Sequence, residues 1–296
     1  MLDNLTRTGN LSGLMQQFVE VDGARLEIFR GGVGRPVVCC SHPHYPAELE
    51  SDRWYSEHTE LVYVMPRGLG NSSPVREGRD LTYLQAAHDL EAVRRELSIA
   101  SWVLQGFSGG SQVALLYALT YPDSLAGLIV GHGVASFARA MADSRSIGNP
   151  QNPRYRADLS ADRRRGAPRR VAIVSSPEHY WLQLHSDLWA FFRGETPLFM
   201  MPTEHLHVRF QAACEEVVYF EVADRLKEIR VPVLVVCGRH DDLVSVKDCA
   251  GIHAGIPDSR LLVLEHSGHG ADGADVETFH QAVLRFLAPL AGWTIS

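Results

Sequence analysis

The sequence predicts an α/β protein: a mainly parallel central sheet with an antiparallel N-terminal hairpin, flanking helices and a helical insertion. Three observations carry this reading. Short apolar runs rich in β-branched residues alternate with longer segments of helical period, as in strands joined by crossover helices. The first two strand-like runs flank Asp22-Gly23, a strong short-range hairpin signal. The alternation lapses after Gly133 and resumes only near Val231.

In chain order, "QQFVEVDGARLEIFRGG" reads as the hairpin, followed by strands at residues 36–40 and 60–65. Between residues 81 and 97 the apolar positions Leu84, Ala87, Leu90, Val93 and Leu97 recur every three or four residues, which predicts a helix with one buried face. A strand at 102–105 leads through a glycine cluster into a helix ending near Tyr121-Pro122, and "LAGLIVGHG" reads as another buried strand. Residues 134–225 hold Trp181, Trp189, Phe191, Phe192, Phe199 and Phe210, mostly at helical spacing, and no strand of the earlier type. A strand at 231–237, a helix at 245–254, a strand at 260–265 and a helix at 275–287 restore the rhythm. The expected organisation is a first core part at 1–133, an inserted helical unit at 134–225 and a second core part at 226–296.

Composition limits the partners. With 45% hydrophobic and 21% charged residues the chain lies in the ordinary range of globular proteins, and no apolar run reaches the length of a membrane span. The net charge of -7 disfavours nucleic acid, whose phosphates require a basic face. Seven arginines between Arg154 and Arg170 form a local exception and read as a solvated loop, with a site for an anionic substrate or partner as the alternative. The opening "MLDNLTRTGNLSGLMQQF" lacks the basic start and apolar core of a secretory signal, so a cytoplasmic location is expected. Cys39, Cys40, Cys214, Cys237 and Cys249 are odd in number and show no CxxC spacing, which suits buried free thiols. The expected partners are a small-molecule substrate and, as an open alternative, a second copy of the chain in a homo-oligomer; neither nucleic acid nor membrane is expected.

The chemistry is concentrated in "GFSGGS", Gly106 to Ser111, between a strand and a helix. Gly106-Phe107-Ser108-Gly109-Gly110 fits the G-x-S-x-G nucleophile elbow, a sharp turn that exposes a serine hydroxyl in strained backbone geometry. The Gly109 amide, opening the next helix, is placed to stabilise an oxyanion. A serine needs a base and an orienting acid, expected in the order Ser, Asp, His. Asp241 in "GRHDD" follows one strand and His269 in "SGHG" follows the next, so Ser108, Asp241 and His269 form the candidate triad. Asp242 is the competing acid and His266 the competing histidine; position favours Asp241 and His269.

From about residue 18 to 287 the chain resembles the α/β-hydrolase family. Four motifs match in order: the loop "SHPHYP", the stretch "PRGLGNS" at residues 66–72, the elbow, and the "GRHD" and "SGHG" loops. The second is similar to the D-x-R-G-x-G-x-S loop of proline iminopeptidases and their esterase relatives. The resemblance implies an α/β-hydrolase fold with the insertion as a helical cap over the site. It also implies a second oxyanion donor in the first loop. There His42-Pro43-His44-Tyr45-Pro46 replaces the usual His-Gly pattern, and Pro43 has no N–H, so the donor falls to the amide of His44 or Tyr45. The family aspartate before the arginine is Met65 here, and Glu204, Glu215 and Glu216 show no iminopeptidase motif for holding a free amine. His42 and Phe107 are expected to contact substrate; the insertion's aromatic residues divide between core and an apolar chamber, with Trp181 and Trp189 as candidates for its lining. The pairs His42/His44 and His205/His207 and the neighbours His240/Asp241 lack a zinc frame, so no metal and no cofactor are expected. The expectation is a serine hydrolase of small, largely apolar esters, lactones, thioesters or amides. Its rivals are non-ester chemistry on the same fold (carbon–carbon hydrolysis, a lyase or a rearrangement), an iminopeptidase-like aminopeptidase, and a ligand-binding member without turnover.

Overall fold

A computed structural model describes residues 13–41, 52–75, 80, 82–144, 220–241 and 243–292. The hairpin forms as read: β1 (Leu14–Val21) and β2 (Ala24–Gly31) pair antiparallel about Asp22-Gly23, where Gly23 takes a φ of 70° that side chains disfavour. The remaining strands are β3 (Val37–Cys40), β4 (Glu60–Val64), β5 (Trp102–Phe107), β6 (Leu125–Gly131), β7 (Val233–Gly238) and β8 (Ser259–Leu264). They build one eight-stranded sheet in the order β1-β2-β4-β3-β5-β6-β7-β8. Only β1–β2 and β2–β4 are antiparallel; every pair from β4 to β8 is parallel.

Five helices flank the sheet among the described residues: α1 (Tyr83–Glu96), α2 (Gly109–Thr120), α3 (Phe137–Ala142), α4 (Val246–Gly255) and α5 (Asp275–Ala291). Both faces of the parallel strands are buried because successive side chains point to opposite sides. Leu128 and Val130 join one apolar cluster with Ala87, Tyr117 and Ile252, whereas Ile129 between them joins the other with Tyr55, Phe279 and Phe286. The α1 stripe forms as read except at its first position. Tyr83, Ala87, Leu90 and Val93 are buried, while Leu84 is 43% exposed, because the i, i+4 line facing the sheet begins at Tyr83. Cys39, Cys40, Cys237 and Cys249 are buried free thiols, as expected; Cys214 lies outside the described residues.

A buried carboxylate ties α1 to α2. Glu91 accepts from Tyr117 Oη at 2.7 Å and is paired with Arg94 and Arg95. Burial pushes its proton affinity up, but the bonds from Arg94, Tyr117 and Arg95 outweigh this and hold its pKa at about 2, below the ordinary 4.5. A carboxylate depressed on folding contributes stability above its unfolded pKa and loses that contribution as pH falls through the folded value. The stability gap between the wild type and Glu91→Gln, read by urea unfolding, is therefore expected to be widest at neutral pH and to close between pH 4.5 and about 2. A gap that stays constant over that range contradicts the assignment.

The described stretches on either side of residues 145–219 are fastened to each other. Ser136 and Glu221 form an antiparallel bridge, Phe137 N donates to Phe220 O at 3.1 Å, and Val222 N donates to Ala135 O at 2.8 Å. Val134, Ala135, Phe137, Phe220 and Val222 are buried in the α1/α2 cluster. Residues 145–219, with Trp181, Trp189, the basic segment and Glu204, Glu215 and Glu216, lie outside the described residues. Among the described residues no helix is long and apolar enough to cross a membrane.

Candidate active site

Parallel strands bring their carboxyl ends to one edge of a sheet, the usual seat of ligands in open α/β structures. Here β5, β6, β7 and β8 are neighbours, so the residues that follow them share one rim. Ser108 follows β5 with φ 51° and ψ -124°, a conformation L-residues rarely adopt, and caps α2. The turn is tight enough to require glycine at its start. A Cβ on Gly106 would lie 2.1 Å from Gly110 O and 2.9 Å from Ala114 Cβ. Ser108 N donates to Gly131 O at 2.9 Å, which ties the elbow to the end of β6, and Ser111 Oγ donates to Ser108 O at 2.6 Å.

The loops after β7 and β8 are packed against each other with the same economy of space. A Cβ on Gly238 would lie 2.0 Å from Gly268 O; Arg239 N donates to Leu264 O at 2.8 Å and His240 N to Ser267 O at 2.9 Å. Asp275, at the start of α5, accepts from His266 N at 2.7 Å and Ser267 Oγ at 2.8 Å, which holds the loop that carries His269.

These supports bring three side chains together. His269 Nε2 lies 2.9 Å from Ser108 Oγ, and His269 Nδ1 lies 2.8 Å from Asp241 Oδ2. His269, not His266, makes these bonds. Asp242 lies outside the described residues. The carboxylate of Asp241 is fully buried, whereas 26% of the His269 side chain is exposed, so the imidazole faces the rim and the acid sits beneath it. Asp241 Oδ1 accepts from the backbone N–H of Leu243 at 2.8 Å and Val244 at 2.9 Å. Burial pushes the Asp241 carboxyl up, but hydrogen bonds from His132 and His269, the charge interaction with His269 and the Val244 amide reverse this and hold it well below the usual carboxylate range. A carboxylate favoured by these donors, beneath an imidazole whose other nitrogen meets a serine hydroxyl, is an arrangement able to activate that hydroxyl.

Sequence reasoning missed one member of the cluster. His132 follows β6, is 2% exposed, and places Nδ1 2.9 Å from the same Asp241 Oδ2 that meets His269. The signal available in the sequence was a histidine bracketed by glycines, Gly131-His132-Gly133, at a strand's carboxyl end.

The other expected site residues divide in two. Phe107 packs edge-on against His132, with centroids 5.7 Å apart, and against Phe279 at 5.6 Å, so it forms a wall beside the imidazoles. Gly109 is the first residue of α2, where helix geometry leaves the amide without an intrahelical acceptor. His42, His44 and Tyr45, like Trp181 and Trp189, lie outside the described residues. His132, Asp241 and His269 can each offer one ligand atom within 4.8 Å of the others, close enough to hold a metal ion. Each is already engaged in the two hydrogen bonds to Asp241, and a metal would have to displace the protons that make them. A groove of about 900 Å³ between the β1–β2 turn and α1 is remote from this chemistry, and its Arg67, Arg95 and His88 are already bonded to Asp89, Glu91 and Tyr121.

Comparison with known proteins bears on the family. The family model described as the alpha/beta hydrolase fold matches residues 62–271. The chain belongs to the α/β-hydrolase family. Among curated members, it is 25% identical over 300 residues to the "Probable proline iminopeptidase" of Leptolyngbya boryana, covering 90% of this chain and 88% of that one. It is 26% identical over 254 residues to the "Putative carbamate hydrolase RutD" of Escherichia coli O9:H4 (strain HS), covering 78% and 82%. Among solved structures, an α/β fold family hydrolase from Bacillus anthracis str. Sterne superposes with a TM-score of 0.72 at 23% identity, covering 93% of this chain and 100% of that one. One departure from the family pattern now has a structural counterpart. Met65 occupies the place of the motif aspartate and is fully buried, and Arg67 pairs with Asp89 at 2.8 Å through two nitrogens and with Asp80 at 3.6 Å.

Proposed function

We propose that this α/β-hydrolase is a cofactor-independent serine hydrolase of the cytoplasm, acting on a small, largely apolar ester, lactone, thioester or amide. The observation that supports this most is the continuous chain Ser108 Oγ, His269 Nε2, His269 Nδ1, Asp241 Oδ2, with links of 2.9 and 2.8 Å. His269 takes the Ser108 proton as Oγ attacks the substrate's carbonyl carbon, and passes that proton to the leaving group as the bond to it breaks. Water then attacks the acyl-serine and gives its proton to His269, which returns it to Ser108 as the acid departs. Asp241 holds the imidazole with Nδ1 protonated, so that Nε2 is the free base. The Gly109 amide, with the amide of His44 or Tyr45, stabilises the oxyanion, each donor contributing about 3 kcal/mol in the transition state. His42, Phe107, Trp181 and Trp189 serve as substrate contacts, the last two from a cap at residues 134–225.

A fluorophosphonate probe is expected to add one adduct to the folded protein, located on Ser108 by peptide mapping. An intact mass that stays unchanged counts against a nucleophilic serine. The similarity to a protein named proline iminopeptidase favours one second reading, an aminopeptidase. N-terminal prolyl anilides turned over faster than simple acyl esters would select it.

A further inference from the structure

We infer that His132 is a positioning residue, a second imidazole that donates to Asp241 Oδ2 and holds the carboxylate in the orientation His269 requires. Asp241 thereby receives four donors, two backbone amides on Oδ1 and two imidazoles on Oδ2. That number fills the lone pairs of a carboxylate. With both oxygens fully occupied, the carboxylate plane is set from two directions and cannot rotate away from His269.

The fold commits unusual local geometry to placing His132. Among the described residues only Ser98, Ser108 and His132 combine a side chain with positive φ, and the last two meet at this rim, both at 51°. Strained backbone of this kind persists where the surroundings over-determine it, commonly at functional sites. Both flanking glycines are sterically required: a Cβ on Gly131 would lie 2.7 Å from the Phe107 ring, and one on Gly133 would lie 1.6 Å from Ser111 Oγ. His132 N is anchored at 3.0 Å to Val236 O of β7, the strand that leads to Asp241.

Tautomer follows from the other nitrogen. His132 Nε2 is buried with no hydrogen-bond partner among the described residues, beside the Phe107 ring. Were the proton on Nε2, a buried donor would be orphaned and two lone pairs would oppose each other across 2.9 Å at Asp241. The proton therefore belongs on Nδ1, pointing at the carboxylate.

Among the described residues, other titratable groups near Asp241 include the thiols of Cys237 on β7 and Cys249 on α4, with His240 beside it in the chain, the Arg239–Glu265 pair further out and Asp275 under the His269 loop. All are unchanged in the variants below. His132 shares the negative charge of Asp241, so removing its donor leaves more of that charge to act on His269. The rate effects expected here rest on the serine-hydrolase reading; the spectrum does not.

Proton NMR of wild-type protein labelled with ¹⁵N-histidine is expected to show two far-downfield imidazole N–H signals bonded to carboxylate, and His132→Phe to keep only that of His269. In His132→Phe, kcat falls about 10- to 100-fold by analogy with other residues that orient a reacting shell, KM stays within about twofold, and the acidic limb of kcat/KM moves up by about half a pH unit to one unit. His132→Gln, which keeps a donor, recovers part of the rate, and His132→Phe costs nothing further in an Asp241→Asn background. A folded His132→Phe enzyme with wild-type kcat and pH profile overturns the inference. So does a wild-type spectrum with only the His269 signal, which decides the matter even if His132→Phe does not fold. A wild-type enzyme with both signals but no Ser108 adduct would instead overturn the serine-hydrolase reading alone.

Discussion

Ser108→Ala is expected to lower kcat/KM on an activated ester by about 10⁶-fold, the scale on which removal of a triad nucleophile is felt. The substitution deletes one oxygen whose hydrogen bond is to His269 Nε2. Alanine meets the same positive φ that serine already adopts, so thermal unfolding is expected to stay within a few degrees of wild type. Steady-state assay beside a melting curve separates lost chemistry from lost structure. Residual activity within tenfold of wild type, on a protein that melts normally, would remove Ser108 from the mechanism. If ester cleavage vanished while the natural substrate still turned over, the nucleophile would belong only to the side reaction, and carbon–carbon cleavage, elimination or rearrangement would take precedence.

The second large effect is expected at Asp241. Asp241→Asn should reduce kcat by about 10⁴-fold, comparable with loss of the acid in other serine triads. The physical reason is a mismatch in donors. Asparagine offers one oxygen and one NH₂ where four donors now converge. If its oxygen faces the Leu243 and Val244 amides, the NH₂ confronts both imidazoles and drives the His269 proton onto Nε2, where it blocks acceptance from Ser108. If its oxygen faces the imidazoles, two backbone donors are orphaned, at about 1–3 kcal/mol each. The first arrangement predicts lost rate with stability largely kept, the second lost stability with more of the rate kept. Measuring kcat and urea unfolding on the same preparation identifies which occurs. A variant impaired in neither respect would show that the buried acid has no part in the reaction.

Much of the scaffold was legible because it depends on local pattern. Asp22-Gly23 between alternating runs specifies a hairpin without reference to the rest of the chain, and β-branched runs between helical periods specify parallel strands. Ser108, Asp241 and His269 were legible for a related reason: each sits just past the end of a strand that could be read on its own, so a shared rim could be anticipated before any distance was known. His132 was not. Its partner lies 109 residues further along the chain, and contact depends on β6 lying beside β7, an adjacency that no spacing encodes. The same limit explains Arg67: the departure from the motif at Met65 was visible, while the partner of Arg67, Asp89 on α1, was not. Leu84 shows a finer limit. Residues 83 and 84 are both apolar, and a shift of one position decides which of them reaches the core.

The bridge between Ser136 and Glu221 has a consequence for how the molecule can vary. A chain that departs from a scaffold and returns at adjacent positions makes a closed detour, and the free energy of closing such a detour grows only slowly with its contour, by about 0.6 kcal/mol per doubling. Changes of length between those two anchor points that keep the buried Phe137, Ala140 and Phe220 need not disturb β6 or β7. Descendants of this gene could therefore rewrite the interposed stretch freely while inheriting the rim unchanged.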